Sequence, residues 1–303
     1  MPRIFVIGAL VYDIVFDVPD WVAPNQSVHA SQATLSPGGK ALNQATAARR
    51  LGAEDVRLVG CVGDDVFGAE MLLALRQEGV NVERVRRLKT SRTSIAAIVV
   101  KDNLPGFIGA PDASRRVCDD HIREALADLR AGDILLIDFE IPQPQVAFAL
   151  QLGREAGAIN VLNPAPFFTR DAFVVDYLRL VDVIIPNKLE AQLILDSASD
   201  DGDVLARGLL RVGIGTVVLT IGEAGSILFQ GDCRVAQPAF KLNAVDTSGA
   251  SDAFVGAYCH AMAQGWRARK TLAFASAAAG LACTRRGTMS SLPTLTDVQA
   301  LMA

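Results

Sequence analysis

The chain has 303 residues, 50% of them hydrophobic and 20% charged, with 25 glycines, which suits one large hydrophobic core or two ordinary domains. Twenty-nine Lys and Arg residues against 33 Asp and Glu residues give a net charge of −4, which argues against a surface built to bind nucleic acid. Aromatic residues make up 6% of the chain and there are three histidines, too few for base-stacking platforms or multi-histidine metal sites.

The five cysteines form neither a C-x-x-C pair nor a dense cluster, so we expect no disulfide scaffold and no structural zinc site. The apolar run Ile4–Ile7 is soon followed by Asp13 and Asp17, unlike a secretory signal. The uncharged stretch Thr271–Thr284 is too short to cross a bilayer. The sequence therefore predicts a soluble cytoplasmic protein with no membrane or nucleic-acid partner.

Short apolar runs alternate with helix-like segments along the chain. The apolar runs predict six buried strands: Ile4–Ile7, Val56–Val62, Ile134–Ile137, Ile159–Leu162, Val183–Ile185 and Val217–Ile221. Between them, a 3.6-residue period predicts five helices: Ala41–Leu51, Ala69–Gln77, Asp119–Leu129, Pro144–Ala156 and Asp203–Val212. This alternation is typical of a mainly parallel sheet with helices on both faces.

Two stretches interrupt this alternation. Asp13–Leu35 alternates loosely around several breakers, and Thr93–Val100 resembles an edge strand followed by a turn over Lys101–Ala110. We predict that these stretches form extra strands outside the main sheet. They would make a small β-lid, from about 14–36 and 93–111, on a single domain spanning residues 1–303.

The segment Ala244–Phe254 carries the strongest chemical signal. Small residues at 248–251 allow a ligand to approach the backbone closely, and a helix is predicted over Ala253–Ala263. The free N–H groups and the dipole of a helix start attract anions, and Asp252 beside them is placed to accept a proton from an attacking hydroxyl. A plain Ser/Gly turn, in which Asp252 only favours the first helical turn, is an equally good interpretation of this segment alone.

A second segment, Pro37–Ala45, has a diglycine followed by two polar side chains. Gly38 and Gly39 let a ligand lie against backbone amides at a helix start, and Lys40 and Asn43 offer further donors. A hinge between loop and helix is the alternative, and it is favoured when the segment is seen alone.

Together with four further motifs, these two segments resemble the signatures of the ribokinase-like (PfkB) carbohydrate kinase family. The motifs are a diglycine at Gly38–Gly39, N-P-A-P at Asn163–Pro166, N-x-x-E at Asn187–Glu190, T-x-G-x-x-G at Thr220–Gly225, D-T-x-G-A-x-D at Asp246–Asp252, and a tail containing Thr284–Gly287, Ser291 and Pro293. They follow the family's order from about residue 3 to residue 300, which is nearly the whole chain. Six ordered motifs are specific where any single one is not.

The resemblance implies a fold and an activity. The fold would be a three-layer α/β/α arrangement with a mainly parallel central sheet and a small β-sheet lid. The activity would be ATP-dependent transfer of the γ-phosphate to a primary hydroxyl of a pentose or related sugar, with Mg²⁺ and K⁺ as cofactors. The lid of such enzymes often forms a dimer interface, so a homodimer is expected.

The resemblance also implies roles for individual residues. Asp252 corresponds to the catalytic base, and the anion-hole amides would come from Gly249, Ala250 and Ser251. The sugar-binding positions are Asp13, Gly39, Lys40, Asn43, Glu140 and Asp252. The ATP-binding positions are Asn187, Thr220, Gly222 and Gly225, while Glu190 corresponds to a Mg²⁺ position reached through water. A loop for K⁺ would comprise Asp246, Ser248, Cys283, Arg286, Gly287 and Ser291.

Several of these residues have structural explanations when taken alone. Asn187 and Glu190 form the pattern of a helix cap and a first-turn acid. Asp13 and Glu140 would be surface or cap residues, and Thr220–Gly225 would be an ordinary connection from a strand to a turn.

The chain departs from the family pattern at three places. Ser251 replaces a glycine, and its β-carbon would be strained by about 1 kcal/mol or more if the position needed a positive φ. Val11 replaces an asparagine that contacts ribose in ribokinases, and Ala41 and Leu42 replace the usual small pair after the diglycine and lysine. The sugar is therefore left open.

Two alternatives to a sugar kinase stay in view. One is a nucleoside kinase on the same scaffold, and the other is a catalytically impaired relative that binds sugar or nucleotide, because of Ser251. A dinucleotide-dependent oxidoreductase is disfavoured, because no G-x-G-x-x-G follows the first strand.

Overall fold

The fold of the chain was obtained as a computed structural model, which describes residues 1–102, 104–167 and 175–303. The strands within these ranges are β1 (Ile4–Ile7), β2 (Val11–Asp17), β3 (Gln32–Gly38), β4 (Val56–Gly63), β5 (Asn81–Leu88), β6 (Ser94–Lys101), β7 (Leu104–Ala110), β8 (Ile134–Asp138), β9 (Ile159–Asn163), β10 (Val183–Ile184), β11 (Thr216–Thr220), β12 (Ser226–Gln230) and β13 (Cys233–Gln237). The α-helices are α1 (Lys40–Arg50), α2 (Val66–Gln77), α3 (Asp119–Ala125), α4 (Gln143–Ala156), α5 (Lys188–Leu195), α6 (Gly202–Arg211), α7 (Ala250–Ala263), α8 (Ala268–Cys283) and α9 (Leu295–Met302).

The main sheet has nine strands in the order β13-β12-β11-β10-β9-β8-β1-β4-β5. All neighbours from β11 to β5 pair in parallel, and β12 and β13 continue the sheet as an antiparallel hairpin. Ligands of open parallel sheets bind outside the carboxyl ends of the strands, so this edge is where chemistry is expected.

The core lies on both faces of the main sheet, as the side chains of β1 illustrate. Ile4 and Val6 belong to one hydrophobic cluster, and Phe5 and Ile7 belong to the other. Successive residues of a strand point to opposite faces, so a continuous apolar strand buries both of its faces under helices. The predicted three-layer α/β/α arrangement is confirmed.

The predicted extra strands form a separate four-stranded sheet, here called the small sheet, in the order β3-β2-β6-β7. The prediction of a turn over Lys101–Ala110 is wrong, because this segment contains β7, which pairs antiparallel with β6. The segment is made mainly of small and apolar residues, and with β6 it forms a hairpin that adds a fourth strand to the small sheet.

The small sheet is attached to the body through Tyr12 of β2. Its ring lies 4.4 Å from the ring of Phe67 on α2, and its hydroxyl donates a hydrogen bond of 2.7 Å to Glu70. The next residue, Asp13, points to the opposite face of the strand. One strand therefore anchors the small sheet and presents an acidic side chain on its other face.

Other differences from the predicted elements lie at element ends and sheet edges, and α8 and α9 were not among the predicted helices. The helix predicted over Asp119–Leu129 ends at Ala125, and the helix predicted to begin at Ala253 begins at Ala250. The pattern of β5 mixes charged and apolar residues because it is an edge strand, and the apolar-run criterion did not find it. Among the helices described, none is long and apolar enough to cross a membrane.

Candidate active site

The candidate site lies where the carboxyl ends of β8 and β9 meet the starts of α1, α5 and α7. The central carboxylate is Asp252 in the first turn of α7, and only 3% of this residue is exposed. Its Oδ2 accepts a hydrogen bond of 3.0 Å from Asn43 Nδ2, and its Oδ1 accepts one of 3.1 Å from Gln44 Nε2. Both donors come from α1, so the starts of the two helices are joined at this carboxylate.

Lys40 is the first residue of α1 and brings a positive charge to the same place. Its Nζ lies 3.6 Å from Asp252 Oδ1, and its backbone amide donates to Glu140 Oε2 at 2.9 Å. Burial acts to lower the pKa of Lys40, but the surrounding carboxylates, of which Asp252 acts most strongly, outweigh it and raise this pKa. The ammonium group therefore stays charged.

The diglycine before Lys40 is required by close packing of the backbone. A β-carbon on Gly38 would lie 2.1 Å from Asp13 Oδ2, and one on Gly39 would lie 2.6 Å from the amide nitrogen of Val11. Gly39 also has a φ of 91°, which strains residues with a β-carbon. The space beside the two glycines is filled by β2, which brings Asp13 to the start of α1.

Asp13 is buried and accepts a hydrogen bond of 3.2 Å from Thr288 Oγ1. Burial raises the pKa of Asp13 to about 6, an effect that the Asp252 carboxylate reinforces and the Thr288 bond opposes. Val11 lies two residues earlier on the same face of β2, where it presents an apolar side chain.

Glu140 follows β8 and faces the same cluster. Burial raises the pKa of Glu140 to about 7, although Lys40 acts to lower it. Asp138, the last residue of β8, lies behind it, and its Oδ1 accepts the Glu140 amide at 2.9 Å. Burial and the neighbouring Glu140 raise the pKa of Asp138 well above its usual range. A β-carbon on Gly8 would lie 2.0 Å from Asp138 Oδ2, so the carboxyl group packs directly on the end of β1.

Ser251 lies in the first turn of α7, where its backbone conformation can be read directly. Gly249 is the capping residue, Ala250 begins the helix and Ser251 is its second residue, with right-handed helical backbone. The expected strain from a positive φ is therefore absent at Ser251. Gly249 is the constrained position, because a β-carbon there would lie 2.5 Å from Ser291 Oγ.

A pocket of about 240 Å³ adjoins this cluster. It is lined by Lys40, Asn163, Ala165, Pro166, Ile185, Asn187, Glu190, Thr220, Ser251 and Val255. Four of the residues that the motifs singled out for nucleotide, metal and anion binding thus share one cavity with Lys40.

Asn187 and Glu190 form a reciprocal capping box at the start of α5. Asn187 Oδ1 accepts the Glu190 amide and Glu190 Oε2 accepts the Asn187 amide, each at 2.8 Å. Burial raises the pKa of Glu190, although the bond from Asn187 opposes this. Both residues therefore serve the helix and line the pocket.

The two glycines after β11 have a structural role of their own. Gly225 has a φ of 98°, and a β-carbon there would lie 2.1 Å from the carbonyl oxygen of Gln237. Gly222 has a φ of 53° with open space beside it. Thr220 lines the pocket, whereas the two glycines are not part of its lining.

The predicted cation loop is held together by hydrogen bonds from Asp246. Its Oδ1 accepts from the amide and hydroxyl of Ser248 at 2.9 and 2.6 Å, and its Oδ2 accepts from the Gly287 amide at 2.8 Å. Burial acts to raise the pKa of Asp246, but these hydrogen bonds outweigh it and lower this pKa.

The carbonyl oxygens of the same loop also have partners within the chain. Cys283 O accepts the amides of Val245 and Asp246 at 2.7 and 3.1 Å. Arg286 O accepts from Ser290 Oγ at 3.0 Å. Ser291 Oγ donates to Thr288 O at 2.8 Å, which places it beside Gly249. Over the described part of the chain, no group of three His, Cys, Asp or Glu side chains is arranged to hold a metal.

Four residues of the site were not singled out as site residues from the sequence. They are Gln44, Asp138, Asn163 and Thr288. Gln44 lies next to Asn43, and Asn163 is the first residue of N-P-A-P. Their place in these motifs could have identified them as site residues.

Comparison with known proteins gives a consistent result. The family model for pfkB family carbohydrate kinases matches residues 1–295. A ribokinase of Schizosaccharomyces pombe is 30% identical over 311 residues, covering 98% of this chain and 97% of the relative. A deoxyribokinase of Salmonella typhi is 29% identical over 296 residues, covering 96% of each.

The fold agrees with that of a solved structure. An Arabidopsis thaliana ribokinase, solved with ribose and ATP, superposes with a TM-score of 0.89 at 24% identity, covering 99% of this chain and 98% of the other. The family model spans nearly the whole chain, and the fold and the order of the motifs agree with it. The chain belongs to the PfkB family of carbohydrate kinases.

Proposed function

We propose that this protein is an ATP-dependent sugar kinase, which transfers the γ-phosphate of ATP to a primary hydroxyl of a pentose or related sugar. The observation that carries the proposal is the buried Asp252 carboxylate at the start of α7. It lies beside Lys40 and next to a pocket lined by the motif residues Asn187, Glu190 and Thr220. Family membership and the ribokinase and deoxyribokinase names of two relatives support the same reaction class.

In the proposed reaction, Asp252 removes the proton of the sugar hydroxyl as its oxygen attacks the γ-phosphorus. The bond from that phosphorus to the bridging oxygen breaks, and ADP leaves with the electron pair. The amides of Gly249, Ala250 and Ser251 lie at the start of α7, where amides lack the regular partners of the helix. The Ala250 amide donates to Thr247 O at 3.2 Å. In this proposal the three amides donate to the charge that develops on the phosphoryl oxygens. Ser251 keeps its amide, so we expect the anion hole to be intact.

Lys40 has two functions in this proposal. Its ammonium group lies opposite in charge to the Asp252 carboxylate at 3.6 Å, and it lies in the pocket where the γ-phosphate would arrive. A lysine ammonium is a point charge suited to phosphate. Its 3.6 Å distance from Asp252 Oδ1 leaves the carboxylate free to act on a substrate proton.

On the sugar side, we propose Asp13 and Glu140 as acceptors for hydroxyl groups, with the Gly39 backbone against the ring. Both carboxyl groups lie close enough to Asp252 to interact with its charge, and Glu140 also accepts the Lys40 amide. Asn43 Nδ2 is already bound to Asp252, so its role would combine sugar contact with support of the base.

On the nucleotide side, we propose that Thr220, Asn187 and the turn at Gly222 and Gly225 hold ATP. Glu190 offers one hard carboxylate whose second oxygen lies outside the capping bond, which suits a Mg²⁺ ion held chiefly by water and phosphate oxygens. Bound Mg²⁺ would neutralise charge on the phosphates. With or without Mg²⁺, the capping bonds between Asn187 and Glu190 would keep the start of α5 fixed beside the phosphates.

A monovalent cation, K⁺, belongs to the proposal for the loop of Asp246, Ser248, Cys283, Arg286, Gly287 and Ser291. The Asp246 carboxylate and the carbonyls of Cys283 and Arg286 are hard oxygen donors, each with an intramolecular partner. A thermal shift on exchanging Na⁺ for K⁺ tests binding independently of turnover. An unchanged melting temperature and an unchanged rate would refute this part.

We also propose that the small sheet is a lid on a single domain of residues 1–303 and that it forms a homodimer interface. Large apolar side chains are exposed on it, namely Leu35, Leu104, Phe107 and Ile108. Exposed apolar patches of this kind mark protein interfaces, and closing a lid excludes water that would hydrolyse ATP. Measurement of the mass in solution, for example by sedimentation, tests the dimer.

A coupled assay of ADP release with Mg²⁺ and K⁺ tests the function as a whole. The panel would contain D-ribose, 2-deoxy-D-ribose, hexoses and nucleosides. We expect turnover with a pentose and none in the absence of sugar. Turnover with nucleosides alone would favour a nucleoside kinase, and binding of ATP and sugar without turnover would favour an impaired relative.

A further inference from the structure

We propose that Gln44 is a positioning residue for the Asp252 carboxylate, and that a buried chain of amide groups running from the end of β10 through Asn163 sets its orientation. This inference rests on the proposed function, because it assigns a purpose to the geometry around the candidate base. It goes further in naming a residue to which the resemblance assigned no role and a mechanism by which the nucleotide side constrains the sugar side.

The chain of hydrogen bonds has three links. Asn163 Nδ2 donates to the carbonyl oxygen of Ile185 at 2.8 Å. Gln44 Nε2 donates to Asn163 Oδ1 at 2.9 Å and to Asp252 Oδ1 at 3.1 Å. Gln44 is fully buried, and Asn163 and Asp252 are 3% exposed, so the chain is shielded from water. It connects the strand ends beside the pocket to the carboxylate on α7.

The polarity of this chain is determined at its two ends. The carbonyl of Ile185 only accepts, so the amide nitrogen of Asn163 must face it and the amide oxygen must face Gln44. Gln44 must then present its NH₂ group, and the second hydrogen of that group is the one that Asp252 receives. A flipped Gln44 would bring its oxygen against two acceptors. The carboxylate end requires the same orientation, so both ends agree.

Gln44 adopts this orientation although it leaves a polar atom unsatisfied. Its Oε1 is buried and has no hydrogen-bond partner among the residues that the structure describes. A buried carbonyl without a partner destabilises a fold, and a residue needed for packing alone would be apolar here. The unsatisfied oxygen indicates that the position is used for its NH₂ group.

The consequence for chemistry concerns the competition for Asp252 Oδ1. Lys40 Nζ lies 3.6 Å from this oxygen, beyond a good hydrogen bond, while Gln44 holds the same oxygen at 3.1 Å. Without the Gln44 donor, the Asn43 bond to Oδ2 is left to restrain the carboxylate, and Oδ1 can turn towards the ammonium group. An ion pair of that kind would occupy the oxygen that must receive the substrate proton.

The test compares Gln44→Met with wild-type protein, and uses Thr46→Val as the matched control. Thr46 lies on the same helix, is equally buried and has a hydroxyl with no partner in the described part of the chain. With D-ribose and ATP as probes, we expect kcat of Gln44→Met to fall by at least about tenfold, because misalignment of a reacting group slows the chemical step. The KM for ATP should stay within about twofold and Thr46→Val should resemble the wild type in kcat.

A second variant separates positioning from packing. Gln44→Glu has the same shape, but its ionised carboxylate faces two acceptors, whereas its protonated form can donate to Asp252. We expect its rate relative to wild type to fall as the pH is raised. A ratio that does not change with pH, or a kcat of Gln44→Met within twofold of wild type, would overturn the inference.

The wild-type protein distinguishes failure of this inference from failure of the proposed function. Turnover by wild type with normal kinetics in both Gln44 variants refutes the positioning role alone. If wild type turns over none of the panel, crystal structures of wild type and Gln44→Met decide the matter. A rotated Asp252 carboxylate in the variant supports the inference, and an unchanged one overturns it.

Discussion

Glu140→Gln should stabilise the ligand-free protein at alkaline pH and leave its stability almost unchanged at acidic pH. The pKa of Glu140 is raised from 4.5 to about 7, chiefly by burial. The folded protein therefore keeps a proton on this group at pH values where the unfolded chain has released it. The stability from this proton is complete below pH 4.5 and is lost as the pH rises through about 7.

The size of the effect follows from the difference between the two pKa values. The shift, 7 − 4.5 = 2.5 pH units, corresponds to about 3 kcal/mol as an upper limit. Glu140 is partly exposed and its charge also acts on the neighbouring Asp138, so we expect an observed gain of about 1–3 kcal/mol at pH 8. The glutamine oxygen can still accept the Lys40 amide, so the bond of 2.9 Å that Glu140 now receives is retained.

Urea titrations at about pH 5 and pH 8 measure this gain, with Glu223→Gln as a control at an exposed acid. The variant at position 140 should raise the unfolding midpoint at the higher pH, while the control should change neither. Equal shifts at both pH values, or destabilisation at the higher one, would refute the argument that an ionised Glu140 destabilises the folded protein.

Three further predictions concern single variants of the candidate site and of the end of β1. Asp252→Asn should keep ATP affinity in a titration while kcat falls by about 10² or more, and a near-normal kcat would remove Asp252 as the base. Ser251→Gly should lower the free energy of unfolding, measured in urea, by about 0.5–1 kcal/mol, because glycine has more backbone freedom in the unfolded chain. Its kcat should stay within about threefold of wild type, and a large rise in kcat would mean that Ser251 obstructs the phosphate. Gly8→Ala should cost about 2 kcal/mol or more by the same measurement, because its β-carbon would lie 2.0 Å from Asp138 Oδ2, and a stable variant would show that Asp138 moves freely.

The sequence predicts the centre of the main sheet well because buried parallel strands are continuous apolar runs. It predicts the edges poorly, since strands such as β5 and β13 mix polar and apolar residues and are defined by their partners. Many residues of the site lie in motifs, although Asp138 and Thr288 do not, and the contacts between site residues are not visible in the sequence. Gln44 and Asn163 are separated by 119 residues, so no local pattern connects them.

The roles of glycine positions are also hard to predict from the sequence alone. Gly225 resembles a ligand-binding position in its motif, yet the carbonyl of Gln237 excludes a side chain there. Ser251 resembles a strained position, yet it lies in regular helix. Whether a glycine serves a ligand or a neighbouring strand depends on the three-dimensional approach of the backbone, which a single sequence does not contain.

The alternation along β2 bears on how this family can change by insertion and deletion. Tyr12 is bound to α2 and Asp13 faces the site, so an insertion of one residue between β1 and Tyr12 would exchange their directions and disable both. The pairing of β2 with β3 ends at Asp17 and Gln32, and the connection of residues 18–31 lies beyond this pairing. Length variation should therefore accumulate in the connection of residues 18–31, where the small sheet can be enlarged or shortened while Asp13 keeps its place.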